Sequence, residues 1–154
     1  MDRDLGQPSP VREPVTIDGM LAFARARLER LDAVAAAHAL QSDAVLIDVR
    51  TSEQRAEDGE IPGAIAIPLN VLEWRADPTT AAYDPRLGGA ATLLIALCAQ
   101  GYCSSLAAAR LQDLGREATD VIGGFEAWWA AGLPTTPPSR GLRSSHDRAQ
   151  RLHG

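Results

Sequence analysis

Thr92-Leu93-Leu94-Ile95-Ala96-Leu97-Cys98-Ala99-Gln100-Gly101-Tyr102-Cys103-Ser104-Ser105-Leu106-Ala107-Ala108 is the stretch on which the reading of this chain turns. The apolar run Leu93 to Leu97 stops at Cys98, a short loop follows, and Ser104-Ser105 opens an Ala- and Leu-rich segment reaching Leu114. This pattern predicts a buried strand, a tight loop and a helix over Ser105 to Leu114, with Gly115 as its C′ residue. Cys98 then stands at the carboxyl end of the strand, where open α/β sheets hold their reactive groups. Loop N–H groups and the positive end of a helix favour an anion there. A thiolate, not a thiol, is the nucleophile, and such surroundings bring a Cys pKa from about 8.5 to between about 3.5 and 7.5. A small buried hydrophobe at the end of an apolar strand is the other reading. Gly101 lets the backbone curl around a central anion, but spacing alone does not separate the two.

Outward from this stretch the chain alternates strands and helices. Ala44 to Val49 is an unbroken apolar run, as a parallel strand buried on both faces requires. Asp48 and Arg50 flank its end, either as substrate contacts or, the favoured reading, in an ion pair fixing the loop to Pro62, with Glu53, Glu57 and Glu60 as candidate partners for the Arg. Ala64 to Ile67 is a short strand, Leu72-Glu73-Trp74 a short helix, and Ala76 to Ala91 a surface crossover with one more helical turn. Trp74 and Tyr83 are assigned to covering the core rather than to walling the site. Ala118 to Ile122 is the last strand, Gly123-Gly124 a tight turn, and Phe125 to Ala131 the last helix. Upstream, Leu21, Ala24, Leu28, Leu31 and Ala35 recur at helical spacing, which predicts one amphipathic helix, capped by Asp18, docked on the sheet and ending near His38 or Leu40. His38 stands alone and is read as solvated. This alternation implies a parallel sheet of about five strands with helices on both faces, an α/β fold.

The 154 residues suit one domain with a real core, spanning about residues 15–136 with its centre at 44–134. Residues 1–14, with three prolines, predict a flexible lead-in, and residues 137–154 a flexible tail in which Arg140, Arg143, Arg148 and Arg151 are solvated rather than partner-binding. A net charge of −5 argues against nucleic acid as a partner. All 15 basic residues are Arg, which points to a GC-rich bacterial genome. With no long apolar run and no signal-peptide pattern at Met1-Asp2-Arg3-Asp4, no membrane association and a cytoplasmic location are expected, where two cysteines stay reduced unless chemistry uses them.

Four segments in order resemble the rhodanese (sulfurtransferase) family: Val45-Leu46-Ile47-Asp48-Val49-Arg50, Gly59-Glu60-Ile61-Pro62-Gly63-Ala64, the Cys98 loop, and Gly123-Gly124-Phe125-Glu126-Ala127-Trp128 with Gly132-Leu133-Pro134. The resemblance covers about Ala44 to Pro134 and implies transfer of a sulfane sulfur. Cys98 would attack a donor such as thiosulfate or a persulfide, and a thiol or sulfur-carrier protein would take the outer sulfur. Converging N–H groups from Ala99, Gln100, Gly101, Tyr102, Cys103 and Ser104 would hold the anion, with no metal or cofactor. Two positions depart from the family. Glu60 stands where a His is common, and Cys103 stands where an Arg is common, which predicts weaker use of thiosulfate. Cys103 is a candidate resolving thiol or persulfide relay, or else a small residue tucked under the helix start. Three rivals are weighed: a phosphatase or arsenate reductase, which needs a longer loop ending in Arg; a non-catalytic binding module, which usually lacks the Cys; and a dithiol redox protein using Cys98 and Cys103.

Overall fold

The computed structural model describes residues 15–139, so the lead-in 1–14 and the arginines from Arg140 onward lie outside the described residues. The order of elements is α1 (Ile17–Ala26), α2 (Ala33–Ala39), β1 (Val45–Asp48), α3 (Ser52–Asp58), β2 (Ile65–Ala66), α4 (Leu72–Ala76), β3 (Leu94–Leu97), α5 (Cys103–Asp113), β4 (Ala118–Asp120) and α6 (Gly124–Ala130). Single 3-10 turns at Leu69–Val71 and Pro85–Leu87 flank α4, the second being the extra helical turn expected in the crossover.

The four strands are all parallel, in the order β2-β1-β3-β4. A fifth position beside β4 is reduced to one bridge, Leu31 with Val121, held by Leu31 N–H on the Asp120 carbonyl at 3.1 Å and Ile122 N–H on the Leu31 carbonyl at 2.8 Å. The unbroken apolar runs follow from burial on both faces. Alternate residues serve opposite layers: Ile47, Leu94 and Ala96 pack with Leu72, Leu87, Ala108 and Leu111, while Leu46, Ile95 and Leu97 pack with Ala36, Phe125 and Trp128. α4 and α5 thus cover one face, and α2 and α6 the other.

The predicted single N-terminal helix is two. Asp32 caps α2 through Ala35 N–H at 2.7 Å, and Leu31 is drawn onto the sheet edge, so residues 27–32 leave helical geometry despite their spacing. Thr16, not Asp18, caps α1, accepting Gly19 N–H at 3.0 Å. α1 packs along α5 rather than on the sheet. A helix also forms at α3, where a loop to Pro62 was expected. Thr51 and Gln54 make a reciprocal capping box, at 3.1 and 2.9 Å. Tyr83 covers the core, its hydroxyl donating to the Gly88 carbonyl, and His38 is exposed, both as expected, whereas Trp74, assigned to the core cover, is exposed. Residues 137–139, the described part of the expected tail, lie against α3, with Ser139 N–H on the Ala56 carbonyl at 2.9 Å. Among the described residues, no helix is long and apolar enough to cross a membrane.

Candidate active site around Cys98

Chain direction across the sheet reverses between β1 and β3. The connection from β1 leads to one edge and that from β3 to the other, which opens a crevice at their carboxyl ends. Cys98 follows β3 and Arg50 follows β1, and both line a cleft of about 700 Å³ with Asn70, Gln100, Tyr102 and Cys103.

Cys98 is 4% exposed. Its Sγ accepts the N–H of Gly101 at 3.2 Å and of Ser104 at 3.4 Å. Of the loop N–H groups expected to converge, these two reach the sulfur. The Cys103 side chain, on the first residue of α5, lines the same cleft beside it. The Cys98 thiol is brought down to about 5, most of all by the neighbouring Cys103 thiol and further by these N–H groups, against burial, which pushes it up. The single Ser104 hydroxyl proton is directed at Asp120 Oδ2, 2.8 Å away, so Ser104 serves the sulfur chiefly through its N–H. Cys103 moves the opposite way: the neighbouring Cys98, burial and the nearby negative charge keep its thiol protonated far above its ordinary value. Both cysteines are free.

Glycine is needed where the loop meets the start of α6. Gly101 has φ +86, and a Cβ there would lie 2.7 Å from Gly123 N. Gly124 has φ +59, and a Cβ there would lie 2.3 Å from the Cys98 carbonyl oxygen. Phe125 N–H bonds that same carbonyl at 2.8 Å, and Glu126 N–H bonds the Ala99 carbonyl at 3.1 Å. The paired glycines, read from sequence as a turn, are the floor of the Cys98 loop.

Three residues of the site were not foreseen. Arg25 and Arg30 both donate to the Gly101 carbonyl, at 2.8 and 3.0 Å, and Arg25 also lies over the Tyr102 ring. Arg30 is paired with Asp120, which is fully buried and also accepts the hydroxyls of Ser104 and Ser105. This network clamps the loop from behind. Asp48 and Arg50 form the expected ion pair at 2.8 Å, and Arg50 also bonds the Gly59 carbonyl and lies 4.0 Å over the Phe125 ring. Its carboxylate partner is Asp48 rather than Glu53, Glu57 or Glu60. Glu60 instead pairs with Arg55 at 3.0 Å, at a position with 57% side-chain exposure.

The depressed Cys98 thiol sets a pH dependence. Its alkylation by iodoacetamide, followed by intact mass, is expected to stay near its maximal rate from neutral pH downward and to halve near pH 5. The unfolded thiol holds its proton up to about 9.0 while the folded one has lost it from about 5. The stabilisation from this group is therefore complete above about 9.0 and is lost as pH falls through about 5. A midpoint near the ordinary thiol value would contradict the site geometry.

Comparison with known proteins agrees with this arrangement. The family model "Rhodanese-like domain" matches residues 32–131, well over half of the chain. No curated protein sequence matches the chain. A solved Rhodopseudomonas palustris protein of unknown function, described as a possible tyrosine phosphatase, is similar at 31% identity and a TM-score of 0.74, over 85% of this chain and 100% of that one. A thiosulfate sulfurtransferase from Pseudomonas aeruginosa is similar at 29% identity and a TM-score of 0.59, over 75% of this chain and only 21% of that one. The rhodanese-like domain of an Anabaena protein shares the fold at 22% identity and a TM-score of 0.58, over 75% of this chain and 83% of that one. With the Cys98 loop, the Gly123-Gly124 floor and the parallel sheet in place, the chain belongs to the rhodanese-like domain family.

Proposed function

We propose that this protein is a sulfurtransferase that carries a sulfane sulfur on Cys98. The observation that supports it most is a buried thiol that accepts two backbone N–H groups and lines an open cleft, surroundings that lower its pKa. The Cys98 thiolate attacks the outer sulfur of thiosulfate, the S–S bond of the donor breaks, and sulfite leaves with its electron pair. The Cys98 persulfide then gives its outer sulfur to a nucleophile, cyanide in an assay or a cellular thiol or sulfur-carrier protein, and the thiolate is restored. The same loop N–H groups serve thiolate and persulfide, so no charge need be rebuilt during turnover. With Cys103 in place of a cation, the dianion thiosulfate lacks a partner in the loop. Small persulfides are therefore better donors, and cytoplasmic thiols are the acceptor class proposed.

The phosphatase description of the Rhodopseudomonas relative does not transfer on this geometry. Clamping a tetrahedral oxyanion calls for a guanidinium in the loop, and residues 98–104 contain none. Arg25 and Arg30 instead hold the Gly101 carbonyl.

The deciding experiment is thiosulfate:cyanide turnover with intact-mass detection, on wild type and Cys98→Ser, with p-nitrophenyl phosphate as a second substrate. Wild type is expected to gain one sulfur atom in mass and to form thiocyanate slowly from thiosulfate. Cys98→Ser is expected to do neither, and neither protein to release p-nitrophenol. No adduct from thiosulfate or from an alkyl persulfide would refute the proposal, and phosphate release dependent on Cys98 would replace it.

A further inference from the structure

Resting on that reading, we propose that Cys103 gives the protein a second outcome: release of the bound sulfur as hydrogen sulfide, by attack of Cys103 on the Cys98 persulfide with formation of a Cys98–Cys103 disulfide. The two sulfurs are neighbours by construction. Cys98 ends β3, Cys103 begins α5, and the residue after Cys103 already places its N–H 3.4 Å from Cys98 Sγ. Both side chains line the one cleft, and Cys103 packs against the core cluster that contains Cys98. A thiol lining the same cleft beside the persulfide becomes, once it gives up its proton, a nucleophile beside sulfur. The alternative occupant of such a position, a serine, would line the cleft equally well but could form no bond to sulfur.

The step balances without a cofactor. The proton that Cys103 holds passes to the outer sulfur of the persulfide anion. The resulting Cys103 thiolate attacks Cys98 Sγ, the inner S–S bond breaks, and hydrosulfide departs with the electron pair. The two cysteine sulfurs are thereby oxidised to a disulfide by two electrons, which reduce the sulfane sulfur to sulfide. An external dithiol then reduces the disulfide by exchange and is itself oxidised. The departing sulfur has no loop cation to retain it, and the partly buried Cys103 lies at the same opening through which it leaves. Which outcome prevails is a competition: an acceptor in the cleft takes the sulfur, and in its absence Cys103 discharges it.

The test is a single turnover without added thiol. Wild type, Cys103→Ala and Cys103→Ser are loaded anaerobically with one equivalent of thiosulfate or an alkyl persulfide. Released sulfide and the intact mass are then followed. Wild type is expected to pass from the persulfide mass to the disulfide mass with release of one sulfide per protein. Both variants are expected to load more slowly, to keep the persulfide once it has formed and to release sulfide at least about tenfold more slowly, while urea unfolding like that of wild type shows that they are folded. A stable wild-type persulfide, or equal sulfide release from Cys103→Ser, would overturn the proposal while leaving sulfur transfer intact. Failure of all three proteins to load would overturn sulfur transfer as well.

Discussion

Gly124→Ala is expected to destabilise the protein by about 2–5 kcal/mol, combining left-handed backbone strain with overpacking, and to abolish persulfide formation in whatever fraction stays folded. The backbone at this position has φ +59, which costs a residue with a side chain about 1–2 kcal/mol. The added methyl would also lie 2.3 Å from the Cys98 carbonyl oxygen, 2.8 Å from the Ala99 carbonyl carbon and 2.8 Å from the Gly101 nitrogen. All three are backbone atoms, so no rotamer change relieves the contact. Either the loop lifts from α6, breaking the bond from Phe125 N–H to the Cys98 carbonyl, or α6 moves out of the core that Phe125 and Trp128 fill. The first response displaces the Gly101 N–H from the sulfur and with it one of the donors that lower the thiol pKa. Gly132→Ala separates the two causes, because Gly132 has φ +72 with nothing within 4 Å of its would-be Cβ. Urea unfolding of both variants measures the difference. Equal losses would show that conformational strain alone requires glycine at 124.

What the sequence disclosed and what it hid divide along sequence distance. β1 and β3 were legible because a strand buried on both faces must be apolar at every position, and Cys98 was legible because its loop joins such a strand to a helix start. Local chemistry also explains α3: Thr51 and Gln54 have capping-box spacing, a signal present in the sequence and passed over. The break between α1 and α2 was hidden by a helical period that continues through it, since Leu28 and Leu31 are apolar for a different reason, packing on the core and pairing at the sheet edge. Arg25 and Arg30 had no local signal at all. Their shared acceptor, the Gly101 carbonyl, lies 76 and 71 residues away. Asp120 did leave a trace, a charged residue inside the apolar stretch Ala118 to Ile122. A buried carboxylate in a strand requires partners, and that demand is where the site's support could have been sought.

Asp120→Ala is the second substitution expected to have a large effect, a loss of about 3–5 kcal/mol. The carboxylate is wholly buried and accepts four hydrogen bonds: Arg30 Nε at 2.8 Å on Oδ1, and on Oδ2 Arg30 Nη2 at 3.1 Å with the Ser104 and Ser105 hydroxyls at 2.8 Å each. Removing it leaves a guanidinium that is 15% exposed without its counter-charge and two buried hydroxyls without that acceptor. The cost comes from the orphaned groups rather than from the attraction itself, because desolvation offsets most of what a buried ion pair gains. Two consequences distinguish this from a surface effect. The loss should persist in high salt, since a buried pair is poorly screened. Arg30→Met should also cost less in the Asp120→Ala background than in wild type, because the second change removes the unpaired charge. The substitution also reaches the chemistry. Arg30 would no longer be held against the Gly101 carbonyl, the Ser104 hydroxyl proton would be freed from Oδ2, and the loop around Cys98 would loosen. Slower alkylation of Cys98 near neutral pH should therefore accompany the loss of stability. Urea unfolding of the two single variants and the double variant, at low and high salt, tests the network. A loss below about 1 kcal/mol, or strictly additive effects of the two changes, would mean that the loop does not depend on Asp120 for its position.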